Sequence, residues 1–71
     1  MITLQQIQTR IIDVIKRSEM TQTALAKELN ISQSAIAHYI KGDILPGLDT
    51  LANLCKILGE DTNYILCQDQ E

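Results

Sequence analysis

Apolar positions along this chain recur every three or four residues, and nowhere do they alternate as they would in a half-buried strand. The first segment carries Leu4, Ile7, Ile11, Val14 and Ile15 at helical spacing, with Thr3 placed to cap it. A short second helix starts after Thr21, another capping side chain, and turns Leu25, Ala26 and Leu29 inward. Asn30 tolerates the left-handed backbone that stops a helix in a tight turn. Ile31 then anchors the chain before Ser32, which caps a third helix running to Gly42. "DILP" breaks the pattern, and Pro46–Gly47 lead into a fourth helix with Leu48, Leu51, Cys55 and Leu58 on one face, ended by Gly59. Asp61 caps a short fifth helix carrying Tyr64, Ile65 and Leu66, and "CQDQE" at residues 67–71 forms a polar tail. With no repeat and no linker, the pattern predicts one compact all-α domain of five helices over residues 1–71.

Composition narrows the chemistry. Hydrophobic residues make up 45% and charged residues 21%, which is globular and argues against disorder. Phe and Trp are absent, so the core must be built from Ile, Leu and Ala. A chain of 71 residues buries only about 60% of its unfolded surface, so an exposed apolar face is expected to find a partner. No apolar run approaches the ~20 residues of a membrane span and no signal-peptide pattern opens the chain, so a soluble, cytoplasmic protein is expected. Cys55 and Cys67 are too few and too far apart for a zinc site, and are expected as reduced thiols in the core or an interface. One His, no Ser-His-acid set, no metal-ligand cluster and no Gly-rich phosphate loop leave neither an enzyme nor a cofactor indicated.

The net charge of −3 is unevenly spread. Arg10, Lys16 and Arg17 outweigh Asp13 and Glu19 by one in residues 1–20, and Lys27 and Lys41 outweigh Glu28 by one in residues 21–42. Beyond Gly42, Lys56 faces six acids. The acidity therefore collects late in the chain, and the central helices keep a slight positive balance.

The two central helices carry the most specific signal. Their capping residues, Thr21 and Ser32, lie eleven residues apart and each is followed by a Gln. Ala26 falls where a second helix would cross closely and a larger side chain would hold it off. Two short helices crossing steeply around a tight turn form a helix-turn-helix, here over residues 21–41. The sequence "TQTALAKEL", then "SQSAI", then "LPGLDTLANLCKILG" resembles, in that order, the Cro/C1-type helix-turn-helix family of phage repressors and bacterial regulators. The resemblance covers nearly the whole chain. It implies a five-helix, lambda repressor-like DNA-binding domain whose third helix enters the major groove of double-stranded DNA.

The residues of that third helix agree with such docking. Ala35, Ile36 and Tyr39 face one way, and Gln33, Ser34, Ala37, His38 and Lys41 form the opposite, short-chained polar stripe. Gln can bond adenine bidentately, Ser several base edges, His a base or phosphate, and the Ala37 methyl can meet a thymine methyl. A polar stripe alone is equally the solvated face of a surface helix. With the family pattern, Gln33, Ser34, Ala37 and His38 become the base-contacting candidates. Gln22, at the start of the second helix, is the first phosphate candidate, with Lys41 and Arg10 beside it. The resemblance further implies that Gln22 and Gln33 touch. With Lys41 and Arg10 serving on each of two subunits, log K should fall with log salt by about 3.6.

Two departures from the family stand out. Many members carry Lys or Arg after the glycine that ends the third helix, where this chain has Asp43, Ile44 and Leu45. Members also often pair an Arg and a Glu between the first and third helices, at positions occupied here by Ile15 and Ile40. Both partners have become Ile, and exchanging a whole buried ion pair for packed apolar residues is often neutral or stabilising. The two isoleucines should therefore touch.

The last segment, with Tyr64, Leu66 and Cys67, is the candidate homodimer interface. A dimer would set two reading helices about 34 Å apart, matching an inverted-repeat operator. With no sensor or ligand pocket expected in so short a chain, a Cro-like or prophage-type repressor is the leading reading. The alternative is an antitoxin-like regulator that uses the same fold to hold a protein partner.

Overall fold

The computed structural model describes residues 1–69; the last two residues of the expected polar tail, Gln70 and Glu71, lie outside them. Five helices follow one another: α1 (Leu4–Arg17), α2 (Gln22–Leu29), α3 (Gln33–Lys41), α4 (Leu48–Leu58) and α5 (Thr62–Ile65). No strand occurs among the described residues.

Each boundary has a local cause. Thr3 and Gln6 form a reciprocal capping box, the Thr3 hydroxyl accepting the Gln6 N–H at 3.2 Å and the Gln6 side chain accepting the Thr3 N–H at 2.8 Å. Thr21 caps α2 through Ala24 N–H, Ser32 caps α3 through Ala35 N–H, and Asp61 caps α5 through Asn63 N–H. Asn30 ends α2 at φ 56°, the left-handed stop expected of it, and lets the Ile31 N–H reach back to the Ala26 carbonyl at 3.0 Å. Gly42 takes φ 88° at the end of α3, a conformation that nearly any other residue would strain to adopt.

The helices close over one core. Ile11, Val14 and Ile15 of α1, Leu25 and Ala26 of α2, Ile36 and Tyr39 of α3, Leu51, Leu54 and Cys55 of α4, and Ile65 of α5 are buried together. Ala26 of α2 is buried in this core, and α2 packs against α3. The expected inward face of α4 holds at Leu51, Cys55 and Leu58 but not at its first turn. Leu48, at its first turn, is 86% exposed, whereas Leu54 is fully buried. Leu4 of α1 is likewise exposed.

Ile15 is 6% exposed and Ile40 is half-buried, and both line one open cleft between α1, α2 and α3. The apolar replacement for an ion pair thus has both members at the same seam.

Candidate nucleic-acid interface

α3 presents the surface that its pattern implied. Ile36 and Tyr39 are buried against the core, and Gln33, Ser34, Ala37, His38 and Lys41 all point to solvent. The first amides of α2 and α3 have no intrahelical acceptor, so the N–H groups of Gln22 and Gln33 are free to meet an anion. Gln22 and Gln33 are both exposed, and among the described residues no hydrogen bond joins them.

The C-terminal end of α3 is tightly fastened. The Gly42 N–H donates to the carbonyls of His38 and Tyr39, and the Asp43 N–H donates to the His38 carbonyl at 3.1 Å. The Gln8 side chain of α1 donates to the Gly42 carbonyl at 2.9 Å, tying this turn to the first helix. Asp43 also receives Nδ1 of His38 at 2.9 Å and has Lys41 Nζ at 3.7 Å from the same oxygen. The hydrogen bond from His38 holds the Asp43 carboxyl below the usual carboxylate range, with Lys41 adding to it. Sequence reading treated Asp43 only as a departure from the family. The signal that could have found its role was the glycine before it, since a left-handed stop returns the next residue toward the last turn of the helix.

Arg10 is engaged within the fold. Its Nη1 donates to the Tyr64 carbonyl and to Asp69 Oδ1, both at 2.6 Å, and its guanidinium lies 4.5 Å from the Tyr64 ring centre. Asp69 raises the guanidinium's pKa further, chiefly through that hydrogen bond. At about 100° per residue, Arg10, Asp13 and Arg17 share one side of α1, roughly opposite the Gln8 and Ile15 side that meets α3. In this arrangement Arg10 fastens α5 to α1. Arg17 joins the same cluster through Asp13 at 3.2 Å and Glu60 at 3.1 Å. Three of the chain's acids, Asp13, Glu60 and Asp69, are thereby paired with arginines on the α1–α5 side.

Lys16, by contrast, is exposed and lines the α1–α2–α3 cleft together with Gln22. Helical spacing alone did not show that its side of α1 borders the start of α2, so sequence reading had no reason to place it among the candidates.

The candidate dimer residues divide. Tyr64 is half-buried under Arg10 and Arg17, and its hydroxyl donates to Asp13 Oδ2 at 3.0 Å. That bond, with burial, raises the phenol's pKa. Leu66 is half-buried. Cys67 is only 1% exposed, in a left-handed turn at φ 61° that folds it back inward. Within this single chain Cys67 therefore fills the interior, unlike Tyr64 and Leu66. Both Cys55 and Cys67 are free thiols.

Two crossed short helices, a polar solvent face on the second and open amides at both N-termini together define a helix-turn-helix. Residues 11–65 match the family described as Helix-turn-helix, of the Cro/C1 type, and the chain belongs to that family of DNA-binding regulators. Comparison with curated proteins and with solved structures finds no match. Among the described residues no helix is long and apolar enough to cross a membrane.

Proposed function

We propose that the chain is a transcriptional repressor, Cro-like or prophage-type, that binds an inverted-repeat operator as a dimer with α3 in the major groove. The observation that carries this reading is the α3 solvent face. Gln33, Ser34, Ala37 and His38 stand clear of the core on a helix held at both ends. Such a face suits base edges, because readout needs directed donors, acceptors and small apolar groups more than net charge. Phosphates are met by Gln22 and the open amides of α2, by Lys41 and by Lys16. Tyr64 and Leu66 contribute to the two-fold contact. Residues 1–71 act as one domain, in the cytoplasm. The exposure of Ile44, Leu45 and Leu48 favours a second reading, in which a protein partner covers them as in an antitoxin-like regulator.

Selection of bound sites from random DNA, followed by a salt titration, tests the proposal. The expected result is two inverted half-sites centred about one helical turn apart. Lys16 and Lys41 on two subunits neutralise four phosphates, so log K should fall with log salt with a slope of about −3.6. Lys16→Gln should reduce that slope by about 1.8. A single unpaired half-site would contradict the dimer. An unchanged slope in Lys16→Gln would remove Lys16 from the contacts.

A further inference from the structure

Asp43 makes two bonds to one residue. Its backbone N–H donates to the His38 carbonyl at 3.1 Å, and its carboxylate receives the His38 Nδ1–H at 2.9 Å. The first bond exists because Gly42 turns left-handed, and the Gln8 bond to the Gly42 carbonyl fastens the turn to α1. The carboxylate is thus presented to the imidazole by backbone geometry, and it is the one acid so placed at the end of α3 among the described residues.

We propose that Asp43 is a positioning residue for base recognition: it fixes which nitrogen His38 offers to DNA, at the expense of phosphate attraction. This rests on α3 being the reading helix. A carboxylate at 2.9 Å requires a proton on Nδ1, because two acceptors do not bond. Nε2 is then the outward atom. In the neutral ring it is an acceptor and suits an exocyclic amine, adenine N6 or cytosine N4. In the protonated ring it is a donor and suits guanine N7 or O6. Asp43 thereby sets the hydrogen-bonding character of Nε2 at one base position of the half-site, while positions read by Gln33 are set independently.

The second consequence is electrostatic. The same Asp43 oxygen lies 3.7 Å from Lys41 Nζ, so it offsets the cation at the end of the reading helix and repels nearby phosphates. The charged groups facing Asp43 are His38 and Lys41 of α3 itself. From α1, the neutral Gln8 approaches this turn, and Asp49 at the start of α4 is felt by Tyr39. Asp43 thus trades affinity for selectivity.

The test is site selection with the full chain at about pH 8, above the ordinary histidine range, using the wild type, Asp43→Ala, Asp43→Asn and His38→Ala. In the wild type, one half-site position should prefer A or C by about tenfold, a modest worth for a base-edge contact. Asp43→Ala should lose that preference while binding unrelated DNA more tightly. Asp43→Asn keeps an oxygen for the Nδ1–H, so it should retain the preference and still gain affinity for unrelated DNA. His38→Ala should abolish the preference. The proposal is overturned if the wild type shows no such position, or if Asp43→Ala reproduces the wild-type profile, while Gln33-dependent positions are still selected. Selection of no sequence would overturn the DNA-reading proposal itself, and this one with it.

Discussion

Ile36→Ala should lower the melting temperature by roughly 10–30 °C and weaken DNA binding as the unfolded fraction rises, a shift set by a cost of about 2–5 kcal/mol in a domain this small. Ile36 is fully buried on α3, beneath the polar stripe, among residues of the shared core. Truncating it removes burial and leaves a cavity at the seat of the reading helix. The whole 71-residue chain has only about 4–10 kcal/mol of stability to lose. Leu48→Ala makes the control, since Leu48 is 86% exposed and its truncation should change stability by no more than about 0.5 kcal/mol. Thermal melts of the three proteins by circular dichroism separate the cases. Equal shifts for Ile36→Ala and Leu48→Ala would contradict the assigned core.

The seam between α1 and α3 gives the second large effect. Ile15→Arg alone should cost about 3–5 kcal/mol, because it places an unpaired charge at a position only 6% exposed. Ile40→Glu alone should cost less, since Ile40 is half-buried and its carboxylate can reach water. The double variant restores an opposite-charge pair in the cleft that both side chains line. It should be more stable than the sum of the single losses predicts, with a coupling of about 0.5–3 kcal/mol. Denaturant melts of all four proteins measure that coupling. Strict additivity would mean that the two positions do not face each other.

The elements of the fold were readable because their punctuation is local. A Thr or Ser hydroxyl bonds an amide three residues on, and Asn30, Gly42 and Gly59 each adopt the left-handed turn their residue types suit. The inward stripe of α3 was readable for the same reason, since Ile36 and Tyr39 are fixed by helical spacing. Long-range docking was not. Residues 64–67 are apolar throughout, so periodicity could not show that the chain turns at Cys67 and buries it. For Arg10, the sequence supplied a charge on α1 but not the side on which α5 would dock. On α4, extending the stripe back to Leu48 overran the core by one turn, whereas Leu51, Leu54 and Cys55 hold the true inward face. The role of Asp43 depends on a bond closed by a left-handed glycine and secured by Gln8, which lies 34 residues before Gly42.

An acidic chain can read DNA on this account because its charges are sorted in space. Asp13, Glu60 and Asp69 are spent on Arg10 and Arg17 along α1 and α5, while α3 offers hydrogen-bonding groups. The most direct test of that claim is the affinity of Gln33→Ala for the selected site and for unrelated DNA, at one fixed salt concentration. A base-reading Gln33 predicts a loss of about 1–3 kcal/mol at the selected site with binding to unrelated DNA unchanged. Equal loss on both DNAs would show that α3 does not read sequence through Gln33 and would contradict the account.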